Sequence, residues 1–249
     1  MDRLIYTAMT GAKHVFLQQA GVANNLANAS TIGFKAQMHR FEAVPVLSEA
    51  MPSRAFVVDA SIQDIFDEGP ILRTDNPLDI AIDGPGWLAI QDAAGEEAYT
   101  RAGSLEVNVN GVLQTKSGYI LQGDGGPIAI PPDNHIAIGG DGTVSVIPAF
   151  GNPNVVNVVG RLKLVNPPET DLQRGDDGLF RLKGNNGGMA PMDESVRVAA
   201  GNLEGSNVNA AETMVQLISL SRQFEMQIKL LQTADKNAQA ADKLLSMTA

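Results

Sequence analysis

Residues 206–249 read SNVNAAETMVQLISLSRQFEMQIKLLQTADKNAQAADKLLSMTA, and these 44 residues contain neither glycine nor proline. In a helix interior, glycine costs about 1 kcal/mol and proline about 3 kcal/mol relative to alanine, so the absence of both predicts one long helix. Counting by sevens from Leu217 passes through Phe224, Leu231, Ala238 and Leu245, an unbroken apolar column. A second column three residues earlier reads Met214, Ser221, Ile228, Asp235 and Asp242 and is half polar. One complete seam and one broken seam suit a helix that shares a core with other helices. Asn209 with Glu212 three residues on has the pattern of a capping box and predicts the start of the helix. From there a continuous helix would run roughly 55 to 60 Å at about 1.5 Å per residue.

The other end of the chain has its own periodicity. Ile5, Ala8, Ala12, Val15, Gln19, Val22 and Leu26 follow the three-and-four spacing of one helix face, with Gln19 its single polar member. Ala8, Gly11 and Ala12 would let a partner helix approach closely. Gly11 and Gly21 weaken the helix by about 1 kcal/mol each, so it needs that partner. Beyond it, residues 24–35 read NNLANASTIGFK. Asn24, Asn25 and Asn28 can satisfy frayed backbone groups, Gly33 can take positive φ, and Phe34 can fold back on the helix.

All thirteen prolines lie between Pro45 and Pro191, so the chain reads as helix, β-rich middle, helix. Placing the two terminal helices side by side is the simplest way to bury both apolar faces. The expected class is α+β. A coiled-coil-like domain of residues 1–34 plus 206–249 would carry an inserted antiparallel β domain, a barrel or a sandwich, over residues 76–205. Residues 35–75, with poor periodicity and Pro45, Pro52 and Pro70, suit an extended connector.

In the middle, Leu78, Ile80 and Ile82 alternate with Asp79, Ala81 and Asp83, and Gly84-Pro85-Gly86 turns the chain into a second strand from Trp87 to Ile90. Leu105, Val107 and Val109 alternate again and end at Asn110-Gly111, a strong hairpin signal. Continuing at this spacing gives ten to twelve short strands, each burying one face, as in an antiparallel architecture.

Composition removes several function classes. There is no cysteine, so disulfides, thiolate metal sites and thiol nucleophiles are impossible. The net charge of −10 is uneven: residues 1–40 carry +3, residues 206–249 carry 0, and the middle therefore carries −13. An acidic middle argues against a nucleic-acid partner or an anionic membrane surface. Apolar runs are too short for membrane insertion, and the first residues make a poor signal peptide.

No catalytic, cofactor or metal motif emerges. Gly123-Asp124-Gly125-Gly126 lacks the spacing of a phosphate cradle and reads as a hairpin turn. Asp141-Gly142 and Asp176-Asp177-Gly178 do not reproduce a calcium loop. His14, His39 and His135 are far apart and stand at no metal-ligand spacing. An enzyme reading would need paired loop carboxylates such as Asp124 and Asp141 acting as in a glycosidase.

Several separated blocks resemble one family. The stretch Asn24 to Lys35 resembles the N-terminal signature of the flagellar rod, hook and hook-associated axial proteins. Residues 201–209, GNLEGSNVN, and 231–236, LQTADK, resemble the C-terminal one. Residues 76–86, NPLDIAIDGPG, and 99–104, YTRAGS, are similar to blocks between them. Residues 1–9, 125–128, 141–146 and 160–165 look most like proximal-rod members, with distal-rod members as the close competitor.

The resemblance implies a structural, non-enzymatic subunit of the proximal rod, spanning the periplasm and exported by the flagellar type III apparatus without a cleaved signal peptide. It also implies that the terminal helices line the rod, contacting other rod subunits and copies of the same chain. The assembly residues expected are the face Ile5, Ala8, Ala12, Val15, Val22 and Leu26, the turn Asn24, Asn25, Asn28, Gly33 and Phe34, and the seam Leu217, Phe224, Ile228, Leu231, Ala238 and Leu245. The competing readings are a distal-rod or hook subunit, and a soluble β-rich binding module with a helical oligomerisation tail.

Overall fold

The structure, a computed structural model, describes residues 2–45, 55–132, 134–148, 156–184 and 188–246. The chain divides into two compact units, one of Met1–Ala29, Ala36–Ile65 and Val208–Ala249, the other of Ser30–Lys35 and Phe66–Asn207.

The first unit contains helix α1 (Asp2–Ala27), strands β1 (Gln37–Pro45) and β2 (Ala55–Asp64), and helix α2 (Ala210–Ser246). α2 is continuous over 37 residues, about 55 Å at 1.5 Å per residue. Asn209 Oδ1 accepts the amides of Ala211 and Glu212 at 3.2 and 3.3 Å, which is the cap expected at that residue.

Residues 37–64 are not the extended connector that their poor periodicity suggests. β1 and β2 pair antiparallel from Gln37 opposite Asp64 to Pro45 opposite Ala55, with Phe56, Val57 and Val58 in the second strand. A bulge between Arg40 and Phe41 shifts the alternation by one residue, which breaks the two-residue period on which a strand is recognised. One face of α1 carries this hairpin. The His14 ring stands edge-on to Phe41 with centroids 5.4 Å apart. Gly21 leaves room for His39, whose Cδ2 would lie 2.7 Å from a Cβ there.

In the second unit the strands are β3 (Ile71–Arg73), β4 (Ile80–Asp83), β5 (Trp87–Gln91), β6 (Glu97–Thr100), β7 (Leu105–Val107), β8 (Leu113–Thr115), β9 (Ile120–Gly123) and β10 (Gly126–Pro127). They continue as β11 (Asn134–Ile138), β12 (Thr143–Pro148), β13 (Asn157–Arg161), β14 (Leu164–Val165), β15 (Leu172–Arg174), β16 (Phe180–Leu182), β17 (Arg197–Ala200) and β18 (Asn202–Glu204). Every pairing among them is antiparallel. Nine form one sheet in the order β15-β16-β6-β5-β9-β8-β7, with β10 on β9 and β14 on β5. Smaller sheets pair β11-β12-β13, β17 with β4, and β18 with β3. The large sheet is open, so the barrel alternative is not what forms. The strand count exceeds the ten to twelve expected because pieces such as β8, β10 and β14 are too short to show a period.

The sheet is buried on both faces at its centre. Leu88 and Ile90 of β5 join a large cluster with Ile80, Leu105, Leu121 and Leu164. Trp87 and Ala89 join a second one with Tyr99, Val165, Leu172 and Phe180. Burial of both faces explains why residues 87–90 are an unbroken apolar run rather than an alternating one, and departs from the expectation of one buried face per strand. The Asn110-Gly111 hairpin forms as expected, with Gly111 at φ 76° joining β7 to β8. Gly123 and Gly126 pair across the turn expected there.

Candidate assembly interface

The two terminal helices pack on one another. On α1 the expected face is the one in use: Ala8, Ala12 and Val22 are buried, and Ile5, Val15 and Leu26 are half-buried. On α2 the column Leu217, Phe224, Leu231 and Ala238 is half-buried throughout, as is Ile228. Leu245 lies on α2, but its side chain is outside the described residues.

The most deeply buried α2 positions beside this column lie on the other side from the one expected, although Ser221 and Ile228 of the expected column are half-buried. Leu220 and Ala234 are buried, three residues after Leu217 and Leu231, whereas Met214 and Asp235 are exposed. Both choices satisfy the three-and-four spacing, and both contain polar members, so periodicity does not decide between them.

Polar groups in this seam meet one another. The Gln19 side-chain amide donates to Ser221 Oγ at 3.2 Å, and Ser221 in turn donates to the Leu217 carbonyl at 2.9 Å. At Gly11 a Cβ would stand 3.2 Å from the Gln227 amide nitrogen, so glycine there admits the Gln227 side chain. Residue 19 meets 221 and residue 11 meets 227, so the helices run antiparallel.

α1 also has a third face. Tyr6, Met9 and Phe16 are 61%, 53% and 59% exposed, and Lys13, Ala20 and Ala23 on the same face are exposed with them. This stripe lies about 100° around the helix from the one that meets α2. Residues 6, 9, 13, 16, 20 and 23 follow the same three-and-four spacing, which was legible in the sequence but masked by the stronger buried face. On α2, Val215, Ile218 and Met226 are exposed large apolar residues.

The expected turn residues separate into two roles. In the first unit, Asn25 pairs with the backbone of Gln37 in both directions, donating from Nδ2 to the carbonyl at 2.8 Å and accepting its amide on Oδ1 at 3.0 Å. The Asn28 side chain donates back to the Asn24 carbonyl at 2.9 Å, closing the end of α1. In the second unit, Gly33 sits at φ 67° and its amide donates to the Glu204 carbonyl at 2.8 Å. Phe34 is buried in that unit, with the Arg174 guanidinium 4.4 Å above its ring.

Beside Phe34 is a buried ion cluster that sequence reasoning missed. Glu204 Oε1 accepts Lys35 Nζ at 2.7 Å and the Gly69 amide at 3.1 Å, and Glu204 Oε2 accepts Arg101 Nη1 at 2.9 Å. Lys35 Nζ also donates to the Asp67 carbonyl at 2.8 Å, and Arg101 Nη2 to that of Gly84 at 2.9 Å. Burial alone would raise the Glu204 pKa, but the charge of Arg101 and the hydrogen bonds from Lys35 and Gly69 outweigh it and hold the carboxyl below its ordinary value. Burial lowers the Lys35 pKa, a shift that the hydrogen bond to Glu204 only partly offsets. The cluster fastens the segments that enter and leave the second unit to its β4–β6 region.

Of the two loop carboxylates of the enzyme reading, Asp141 is engaged in its own turn and Asp124 is exposed. Asp141 accepts the Thr143 amide at 3.0 Å and its hydroxyl at 2.7 Å, and Asp177 pairs with Arg181. His14 and His39 come together around Phe41, whereas His135 belongs to the other unit. Among the described residues no group of three or more His, Asp or Glu is placed to hold a metal, and no helix is long and apolar enough to cross a membrane.

Three family descriptions match this chain: "Flagella basal body rod protein" over residues 5–35, "Flagellar hook protein FlgE/F/G D1 domain" over 81–146, and "Flagellar basal body rod FlgEFG protein C-terminal" over 199–244. The chain is 45% identical over 252 residues to the flagellar basal-body rod protein FlgF of Escherichia coli strain K12, covering 100% of both chains. It is 43% identical over the same span to FlgF of Salmonella typhimurium strain LT2, again covering 100% of both. Against the flagellar basal-body rod protein FlgG of Caulobacter vibrioides the identity is 32%, over 96% of this chain and 98% of the relative. Lys35, Arg101 and Glu204 fall one in each of the three matched segments.

Proposed function

Because the chain belongs to the flagellar basal-body rod protein family and is a structural subunit of that rod, we propose that it joins its neighbours through α1 and α2 and transmits torque by their packing. The observation that carries this reading is the Tyr6, Met9 and Phe16 stripe, an apolar helix face left in solvent after α1 has packed on both α2 and the β1–β2 hairpin. A shaft subunit needs one such face for its neighbour in addition to the face that holds its own fold. The contact is heterologous and non-closing, since a ring would not propagate along an axis.

As a rod protein it assembles with other rod and hook subunits. Its place among them is in the proximal rod, crossing the periplasm, with copies of itself and other rod subunits as neighbours. Higher identity to FlgF than to FlgG supports that position over a distal one. Delivery through the flagellar type III export apparatus is part of the same reading, supported by the family resemblance and compatible with a chain without cysteine. A structural family gives it no catalytic role in this reading.

The test is Met9→Asp with Phe16→Asp in cells lacking the native copy. The purified variant should keep its helix content, while isolated basal bodies lack it and swimming is lost. Normal incorporation with normal swimming would overturn the reading.

A further inference from the structure

The heptad column of α2 does not by itself select one axial register. Leu217, Phe224, Leu231 and Ala238 repeat every seven residues, so sliding α2 by one heptad, about 10 Å, presents α1 with another apolar column member at each level. The polar groups of the seam are not periodic in this way. A slide in one direction puts Gln19 level with Ile228 and in the other with Met214, and it leaves Ser221 level with Leu26 or Ala12. None of these side chains replaces the amide-to-hydroxyl hydrogen bond that the native register makes at 3.2 Å.

We infer that Gln19 and Ser221 are the register determinant of the terminal helix pair, with Gly11 and Gln227 as a second, steric check. A half-buried amide left without its partner costs more than the bond itself contributes, so the slid registers are disfavoured by a group that adds little to the native one. A glycine at position 11 opposite Gln227 acts in the same sense: a slide of one heptad moves Gln227 off the only residue on that turn without a Cβ. A polar pair that sets the alignment of packed helices is a known use of buried polarity. The inference concerns two helices of one chain, so it stands whether or not the assembly reading does.

The cysteine-free sequence makes the register directly measurable. On the alignment defined by residues 19 with 221 and 11 with 227, Ala8 lies level with Leu231, and one heptad away with Ala238 or Phe224. Full-length chains carrying Ala8→Cys with Leu231→Cys, Ala238→Cys or Phe224→Cys report the three registers by intramolecular disulfide yield under mild oxidation. In the native background the Leu231→Cys pair should dominate. In a Gln19→Ala/Ser221→Ala background, which removes the layer without overfilling the seam, the ratio of shifted to native cross-link should rise at least about tenfold. The exchanged pair Gln19→Ser/Ser221→Gln should return the ratio to the native value. An alanine background with an unchanged ratio, or an exchanged pair that behaves like the alanine one, would overturn the assignment.

Discussion

Lys35 Nζ lies 2.7 Å from Glu204 Oε1 across 169 positions of sequence, with both side chains only 1% exposed. A lysine and a glutamate so deep in a β unit are costly unless each is fully partnered, and here each has more than one partner. Glu204 takes a second cation, Arg101, at 2.9 Å. The chain therefore crosses into and out of this unit at one electrostatic junction.

Removing the junction's acid leaves two buried cations facing one another. Glu204→Ala should lower the stability of the β unit by about 3–5 kcal/mol, the usual cost of orphaning a buried ion partner. Chemical denaturation followed by Trp87 fluorescence reads this unit, because Trp87 lies in its second core.

The same residue sets a pH dependence. Folding lowers the Glu204 pKa below the value it has in the unfolded chain, so the stabilisation it gives is complete above the unfolded value of about 4.5 and is lost as pH falls through the folded value. Stability should therefore decline below about pH 4.5 in the native chain. Glu204→Gln, less stable at neutral pH, should show a smaller decline over that window. Equal slopes for the two proteins in denaturation at pH 3 to 7 would assign the acid sensitivity elsewhere.

Gly33 is required twice over. Its φ is 67°, and a Cβ would run into the Arg101 backbone carbonyl. Gly33→Ala should destabilise the β unit by about 1–3 kcal/mol, combining left-handed strain with displaced backbone. Thermal unfolding against the native chain measures it. A change within about 0.5 kcal/mol would mean that the junction yields more easily than close packing allows.

The helices were legible because their apolar spacing is long and regular, and the Asn209 cap and the Asn110-Gly111 hairpin because each rests on local chemistry. The β1–β2 hairpin was not, since the bulge after Arg40 breaks its alternation. No local pattern singles out Lys35, Arg101 and Glu204, since only the fold brings positions 103 and 169 apart in sequence to one carboxylate. A trace was present all the same: each lies in a separate family-like block. On α2 the first column is half-buried over its described members, while the choice between Met214 and Leu220 for the second depended on which side α1 occupies.

Two phenylalanines separate folding from assembly. Phe224 is half-buried in the seam, so Phe224→Asp should cost the helix pair about 2–4 kcal/mol by inserting a charge where α1 packs. Phe16 is 59% exposed, and Phe16→Asp should change stability by no more than about 0.5 kcal/mol. Circular dichroism of the two purified variants during heating makes the comparison. Equal losses would place Phe16 in the fold rather than on its surface.

The most direct measurement of the assembly face is the reactivity of a single thiol at Phe16→Cys, with Ala8→Cys as the buried control. In the free chain the residue 16 thiol should react rapidly with a soluble maleimide and the residue 8 thiol slowly. In isolated basal bodies containing the same chains, the account predicts that residue 16 becomes at least about tenfold slower, approaching residue 8. A residue 16 thiol that reacts as fast in the rod as in the free chain would contradict it.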